Sequence, residues 1–326
     1  MSGVQKKEVL PEDDGLRLDK WFLKHYPTLA HGRLSRLMRK GEVRLNGKRS
    51  KAGDRIEAGH IVRVPPLGDL PEAKPKKPRP MTITDDDRAA LEAMVIYKDH
   101  DILALNKIPG LAVQGGTNTT KHIDGMLDEL KFEASGRPKL VHRLDKDTSG
   151  CLILGRNRLS AKSLTAAFKE RTTEKIYWAL VMGVPQLKQG KIDQPMEKLA
   201  MKGNERMVAS DDGKRAVTFY SVVETAAKKA AWVALKPITG RTHQLRLHMA
   251  LLGHPIVGDG KYGGADAMLT GQISRKLHLH ARSLSIPDED GVMLNIIADL
   301  PSHMLETWDT LGFDLDNDVD PFEGLD

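Results

Sequence analysis

The chain has 326 residues, enough for two domains and a substantial core, and its composition of 40% hydrophobic and 29% charged residues is typical of a soluble globular protein. No apolar run approaches the roughly 20 residues of a membrane span, and the polar segment 1–11 lacks the apolar region of a signal peptide. The single cysteine, Cys151, excludes an intramolecular disulfide and a cysteine-rich zinc site, so we expect a cytoplasmic protein without membrane contact.

Positive charge is concentrated at the start of the chain. Residues 1–65 hold 15 Lys and Arg against 8 Asp and Glu, a formal charge of +7, whereas the whole chain carries +6. Charge that is segregated in this way favours a polyanion-binding module attached to a near-neutral body. A solvated basic face without a ligand is an equally good explanation of the charge alone.

The N-terminal region is predicted to contain one small folded unit. Residues 1–15 are expected to be a flexible N-terminus, and 16–64 a compact unit. Apolar residues at helical spacing over 16–23 predict a helix, and a short basic helix is expected next. An Asn-Gly pair at 46–47 is typical of a hairpin turn, and 61–64 reads as the closing strand.

The remainder is predicted to be a linker followed by a larger domain. Residues 65–88 are rich in Pro and Lys and predict an extended linker, 89–313 a globular domain, and 314–326 an acidic, frayed tail. Many strands with few helices, not in strict alternation, predict an α+β domain with a mixed sheet. The expected strands are 151–154, 176–182, 216–223, 231–236 and 293–298, and the expected helices are 120–131, 160–170 and 243–252.

The segment 140–150, LVHRLDKDTSG, places a carboxylate between cationic side chains, just before a predicted buried strand. Cationic neighbours hold Asp145 ionised and a loop makes it accessible, which suits a nucleophile or a general base. A surface turn rich in salt bridges is the simpler interpretation of this local pattern taken alone.

Two further segments carry polar groups. The segment 236–248, KPITGRTHQLRLH, passes from a strand end through a turn into a helix, whose N-terminal amides are available to anions. In 174–181, EKIYWALV, strand alternation places Lys175 and Tyr177 on one face. A tyrosine in such a position is ordinarily a packing residue, so this pattern alone does not establish a site.

Together the three segments resemble the RluA family of pseudouridine synthases over about residues 95–300, and HRLD-x-x-TSG and GRTHQLR are highly specific motifs. Residues 16–64 resemble an S4 domain, through RLDKW at 17–21 and GEVRLNGK at 41–48. The resemblance implies a pseudouridine synthase catalytic fold, which is a large mixed, mostly antiparallel sheet with flanking helices. A small S4-like (αL) RNA-binding domain would precede it.

The resemblance assigns roles by position. Asp145 matches the catalytic aspartate, Tyr177 the tyrosine that stacks on the target base, and Arg246 the basic residue that pairs with the aspartate. Arg143 matches the arginine that fills the gap left by a flipped nucleotide. The family's early motif Asn-Lys-Pro-x-Gly is NKIPG here, a departure expected to change loop shape only. Further RNA contacts are expected from Arg241, His243, Arg33, Arg36, Arg39, Lys40, Arg44 and Lys48.

The implied activity is isomerisation of uridine to pseudouridine in RNA, foremost 23S ribosomal RNA, by base flipping and without a cofactor or metal. The implied partner is ribosomal RNA at single-stranded or loop uridines, or an assembling ribosomal particle, bound by a monomer. One alternative is an RNA-binding ribosome-assembly factor with an inactive synthase domain, and another is a sister synthase acting on a different rRNA helix. A metal hydrolase is the third alternative, with His278, His280 and Asp259 as its ligands.

Overall fold

A computed structural model describes residues 3–68, 82–116, 119–201, 204–287, 291–316 and 321–323, without the side chains of 200, 201, 204 and 205. The chain divides into two compact units, Met1–Pro80 and Met81–Asp326. Within these described ranges no helix is both long and apolar enough to cross a membrane.

The N-terminal unit is a small antiparallel sheet packed against two helices. Its elements are β1 Gln5–Glu8, α1 Leu18–His25, α2 His31–Arg39, β2 Arg44–Leu45, β3 Lys48–Arg49 and β4 Ile61–Val64. The strands are ordered β1-β4-β2-β3. Leu18, Trp21 and Phe22 lie on one side of α1 and are buried in a core that also includes the buried face of β4. The predicted helical spacing of apolar residues is confirmed for α1.

The prediction of a flexible segment at 1–15 is wrong for most of its length. Strand β1 pairs with β4 in antiparallel register, and Val9 is buried. Asp13 is also buried, and its carboxylate accepts hydrogen bonds from the side chains of Trp21, Lys24 and His25. Burial raises the pKa of Asp13, but the bonds from Lys24 and His25 outweigh that effect, so the net pKa is lowered and the carboxylate stays ionised.

The predicted linker is also shorter than expected at both ends. Leu67 is buried in the core of the N-terminal unit. At the other end helix α3 begins at Asp85, because Thr84 and Asp87 form a reciprocal capping box. The prediction therefore fails for 65–67 and 85–88, and its centre, 69–81, lies outside the described residues.

The C-terminal unit is built on one large sheet of ten strands in the order β10-β13-β14-β9-β15-β8-β6-β5, with β16 on β15 and β7 on β8. Only the β15–β8 pair is parallel, so the predicted mixed, mostly antiparallel α+β sheet is confirmed. The elements are α3 Asp85–Glu92, β5 Val95–Lys98, β6 Ile102–Lys107, α4 Ile123–Met126, β7 Lys139–Leu140, β8 Ser149–Gly155, α5 Arg158–Glu170, β9 Glu174–Met182, β10 Gln189–Asp193, β11 Met196–Met201, β12 Asn204–Ala209, β13 Val217–Ala226, β14 Ala230–Pro237, α6 Gln244–Leu251, β15 Leu279–Pro287, β16 Met293–Ile297 and α7 Ser302–Leu311.

The centre of the sheet is apolar on both faces. Strand β8 is buried at every residue, and β14 is buried at all but one, so both read as continuous apolar runs in the sequence. The separate pair β11–β12 was not predicted. The predicted frayed tail is wrong at its described end, because Phe322 is only 6% exposed and lies under the ammonium group of Lys236.

Candidate active site

Asp145 lies in the loop between β7 and β8, at the edge of a groove of about 690 Å³. Its side chain is 26% exposed, so the carboxylate is sheltered but reachable. The groove is formed by three segments that are far apart in sequence. They are the Asp145 loop, the start of β9 with the end of α5, and the turn between β14 and α6. The three motif-bearing segments are therefore brought together, as the resemblance implies.

The Asp145 loop is anchored to the sheet by His142. The amide of Ile153 donates a hydrogen bond to His142 Nε2 at 2.8 Å, and the imidazole stacks on Phe168 with ring centroids 4.4 Å apart. Burial lowers the pKa of His142 to about 3. The imidazole is therefore neutral at physiological pH, which is the state that the accepted hydrogen bond requires.

A second anchor is Lys107, a fully buried lysine at the end of β6. Its Nζ donates to the carbonyls of Ile108, Leu111 and Lys146, each at 2.9 Å. Burial lowers the pKa of Lys107 to about 7, while the charges of Asp147 and Asp145 act in the opposite direction. Three carbonyl acceptors match the three N–H bonds of an ammonium group, so we assign the protonated form. Lys107 thus ties the NKIPG loop to the loop of Asp145.

The exit of the loop requires a glycine. Gly150 has φ +107°, and a Cβ atom there would lie 2.2 Å from the carbonyl oxygen of Ala281. The two backbones approach closely here because β8 and β15 pair in parallel over a short stretch that includes Gly150 and Ala281. Any side chain at position 150 would push the two strands apart and displace the loop that carries Asp145.

The groove around Asp145 is strongly cationic. Among its lining residues, all within the described ranges, Asp145 is the only carboxylate. Five of the cationic side chains form no ion pair with any described residue, so their charge is available to an anionic ligand. These five are Arg143, Lys169, Arg171, Lys175 and Arg241.

Tyr177 lines the groove from the centre of the sheet. It lies on β9, opposite Leu235 of β14 and Ala281 of β15, and packs partly into the cores on both sides. Burial, assisted by the negative charge of Asp145, raises the pKa of the Tyr177 phenol far above its usual range. The hydroxyl can therefore donate a hydrogen bond, while the ring lines the groove.

The prediction that Arg246 pairs with Asp145 is wrong. Its Nε and Nη2 donate to the two carboxylate oxygens of Asp259 at 2.8 and 2.7 Å, and no ion pair within 4.0 Å joins it to Asp145. Burial lowers the pKa of Arg246, but Asp259 and, more weakly, Asp145 raise it, with a net rise. Arg246 therefore lines the groove as a permanent cation that acts on Asp145 through space.

The other predicted contacts of the catalytic unit do line the groove. Arg143 is exposed and donates to the side-chain oxygen of Gln114 at 3.2 Å. Arg241 donates to the carbonyl of Arg215, which leaves part of its guanidinium free. His243 directs Nε2 at Asp145 Oδ2 from 4.0 Å, so it is the nearest cation-capable group to that carboxylate. Burial lowers the pKa of His243, and the charge of Asp145 opposes this effect.

Several residues of the site escaped sequence reasoning. Lys169 and Arg171, at the end of α5, line the groove without any sequence signal that distinguishes them from a solvated helix end. Lys175 did have a signal, because strand alternation put it on the face of Tyr177. Tyr262 contacts a motif residue, yet it lies well beyond the motifs in sequence. Asp259 does the same, and the sequence suggested it only as a metal ligand.

The six predicted RNA contacts of the N-terminal unit are all exposed, and they lie on α2 and the β2–β3 hairpin or between them. Three are engaged locally, since Arg33 donates to the carbonyl of Leu67, Arg44 to those of Gly41 and Gly47, and Lys40 lies 4.0 Å from Glu42. The side chains of Arg36, Arg39 and Lys48 make no hydrogen bond or ion pair with any described residue.

The residues considered for a metal site are engaged in other contacts. His278 bonds to Thr307 and to the carbonyl of Lys276, and His280 bonds to Ser149 and to the carbonyl of Ala298. Asp259 forms an ion pair with Arg246. Within the described part of the chain, no three His, Cys, Asp or Glu side chains are placed to hold a metal ion together.

Comparison with known proteins agrees with this geometry. The sequence model of the family described as RNA pseudouridylate synthase matches residues 101–251, which contain all three groove segments. Ribosomal large subunit pseudouridine synthase C of Rickettsia felis is 34% identical over 89% of this chain and 95% of that protein. The protein of the same name from Vibrio cholerae is 36% identical over 92% of this chain and 95% of that protein.

The chain belongs to the RNA pseudouridylate synthase family, so it is an RNA-modifying isomerase, and the resemblance to RluA enzymes is confirmed. Among solved structures, human RNA pseudouridylate synthase domain containing 4 superposes with a TM-score of 0.59. It is 29% identical, and the match covers 70% of this chain and 96% of that one. The expected synthase fold of the catalytic unit is therefore confirmed.

Proposed function

We propose that this enzyme converts uridine to pseudouridine at specific positions of large-subunit ribosomal RNA, with Asp145 as its catalytic carboxylate. The observation that carries the proposal is the groove itself, in which one reachable carboxylate is surrounded by cations beside the ring of Tyr177. The substrate class follows the names of the relatives from Rickettsia felis and Vibrio cholerae, which match nearly the whole chain.

The chemistry is redox-neutral. The N1–C1′ bond of uridine breaks, the uracil turns over while bound, and C5 forms a new bond to C1′. C5 loses its proton and N1 gains one, so atoms balance without a co-substrate. Asp145 acts at the ribose as nucleophile or base. Tyr177, whose ring lines the groove, would stack on the uracil, and its hydroxyl would take part in proton transfer.

Such a reaction requires that the target nucleotide leave its stack. Extrusion costs a few kcal/mol, and less at loops and mismatches, which favours loop uridines as targets. Stacking of the extruded base on Tyr177 returns roughly 1–3 kcal/mol. Arg143 is exposed at the rim of the groove, where its guanidinium can occupy the gap left by the base. Arg241, Lys169, Arg171 and Lys175 would contact backbone phosphates.

The N-terminal unit is proposed to be an S4-like RNA-binding domain. Its two helices, its hairpin and its cluster of exposed cations support this assignment. Such a unit adds phosphate affinity and little base selectivity, so its role is to hold structured RNA.

We further propose that the chain acts as a cytoplasmic monomer. Its substrate would be rRNA that is free or within an assembling particle. The buried, unpaired Cys151 is compatible with a reducing compartment.

The direct test is chemical mapping of pseudouridine in large-subunit rRNA from cells with and without this gene. We expect one or a few pseudouridines to disappear without the gene and to return when the purified enzyme is added to that RNA. If every pseudouridine persists and the enzyme modifies nothing, the chain is an RNA-binding assembly factor instead. Restoration at a site in another rRNA helix would identify it as a sister synthase.

Removal of two cations from α2 should weaken RNA binding without slowing the chemistry. We expect Arg36→Gln/Arg39→Gln in the full chain to raise KM and leave kcat within about twofold, because phosphate contacts contribute to binding in the ground and transition states alike. The slope of log affinity against log salt concentration should fall by about 1.5. Lys6→Gln/Lys20→Gln removes two exposed cations from β1 and α1 of the same unit. An equal effect of this control would contradict the assignment to α2.

A further inference from the structure

Tyr262 contacts His243 and Arg246, which line the groove, and also the β11–β12 hairpin. Its hydroxyl lies 2.9 Å from His243 Nδ1 and accepts a hydrogen bond from the amide of Met207 on β12 at 3.1 Å. On the far side of the same imidazole, His243 Nε2 lies 4.0 Å from Asp145 Oδ2. The order of contacts is therefore hairpin amide, phenol, imidazole and catalytic carboxylate.

These contacts determine where the imidazole carries its proton. The Met207 amide can only donate, so the Tyr262 oxygen accepts from it and keeps one proton to give. Within the described residues His243 Nδ1 is the acceptor for that proton. Nδ1 must then be unprotonated in the neutral ring, and the proton lies on Nε2, which faces Asp145. The opposite tautomer would direct a lone pair at a carboxylate and leave the phenol proton without an acceptor.

The phenol is held firmly enough to impose this choice. The guanidinium groups of Arg246 and Arg206 lie over its ring, at 5.3 and 5.1 Å from the ring centroid. Its backbone amide donates to Asp259 Oδ1 at 3.1 Å. His243 in turn adopts the left-handed conformation, with φ 54° and ψ 21°, which a residue with a side chain rarely takes without tertiary support.

We infer that Tyr262 and His243 are positioning residues of the synthase reaction. Tyr262 fixes His243 in its Nε2–H tautomer, and His243 directs that N–H at Asp145 across 4.0 Å, an attraction that orients the carboxylate toward the ribose. The inference rests on the proposed function of Asp145. It also couples the hairpin to catalysis, because the Met207 amide sets the direction of the phenol proton.

The first experiment observes the proton itself in the full chain without RNA. Long-range ¹H–¹⁵N NMR of histidine-labelled enzyme distinguishes protonated from bare ring nitrogens, and His243→Gln identifies the His243 signals. We expect Nε2–H in the wild type and a changed tautomer ratio in Tyr262→Phe, which keeps the ring that both guanidinium groups contact. A wild-type Nδ1–H signal, or an unchanged ratio in Tyr262→Phe, would overturn the inference.

The second experiment measures turnover. Tyr262→Phe should lower kcat by roughly 10–100-fold, the range known for loss of a partner that orients a metal-bound histidine, with KM within about twofold. Tyr220→Phe removes another largely buried phenol, on β13 outside the groove, and should retain wild-type kcat. His243→Gln, which keeps an N–H donor, should retain more activity than His243→Leu.

Wild-type kcat in Tyr262→Phe, or equal loss in Tyr220→Phe, would contradict the inference while leaving the proposed function intact. Absence of pseudouridine formation by the wild type would instead refute the proposed function, and the NMR result would still decide the tautomer.

Discussion

Replacing Asp145 by asparagine is expected to abolish pseudouridine formation and to leave RNA binding intact. The substitution preserves shape but removes the only carboxylate among the described lining residues, which is the group proposed to attack or deprotonate the ribose. We expect kcat to fall by roughly 10⁴-fold or more. The RNA affinity should stay the same or rise, because a negative charge has left a groove that binds a polyanion. Single-turnover assays for pseudouridine and equilibrium binding to the same RNA measure the two effects separately.

Asp147 provides the matched control. It lies two residues further along the same loop and borders a neighbouring cavity, which shares His243 and Arg246 with the groove and is also lined by Lys261, Arg275 and Lys276. Asp147→Asn makes the same chemical change in the same loop, so it should keep kcat within a few-fold of the wild type. Wild-type turnover by Asp145→Asn, or an equal loss in both variants, would show that Asp145 is not the catalytic carboxylate.

The fold was predictable where a single physical signal dominates. Strands β8 and β14 are buried on both faces and therefore appear as continuous apolar runs. Helix α1 shows its buried side as a helical stripe. Strand β1 was missed because its sequence, QKKE, is polar, and its pairing with β4 depends on backbone hydrogen bonds that no side-chain pattern reveals. Hairpin β11–β12 was missed for a similar reason, because its sequence is mixed. Within the described residues it pairs with no strand of the large sheet.

The sequence was sufficient to predict which residues form the site, but it was less informative about the contacts that they make. The motifs located Asp145, Tyr177 and Arg246, and the fold brings all three to one groove. The partner of Arg246 could not be read from the motif, because Asp259 approaches it through the turn after α6. Lys107 was passed over because nothing in a sequence distinguishes a buried lysine with three carbonyl acceptors from an exposed one. Contacts between residues that a turn of the chain brings together can therefore be identified only from the structure.

The carboxylate of Asp259 holds together residues that lie behind Asp145 and His243. It accepts two hydrogen bonds from Arg246 and one each from the amides of Lys261 and Tyr262, and its side chain is fully buried. Arg246 is itself buried, and its guanidinium supports one face of Tyr262. Loss of Asp259 would therefore leave a buried cation unpaired and release the phenol that orients His243.

We expect Asp259→Ala to lower the free energy of unfolding of the catalytic unit by about 3–5 kcal/mol, the usual cost of breaking a buried ion pair from one side. Asp259→Asn keeps the acceptor for the two backbone amides, so its loss should be smaller. Urea unfolding followed by tryptophan fluorescence reports mainly on this unit, because Trp178, Trp232 and Trp308 lie in it and only Trp21 lies outside.

Asp193 is the matched control, because it pairs with Arg215 at the surface, where solvent screens the charges. Asp193→Ala should therefore leave the unfolding midpoint nearly unchanged. If Asp259→Ala behaves like Asp193→Ala, the buried pair does not support the site. If it is destabilised as expected while Asp259→Asn keeps much of its stability and loses kcat, the Asp259 charge acts on catalysis through Arg246 and Tyr262. That result would separate the contribution of Asp259 to stability from its indirect effect on Asp145.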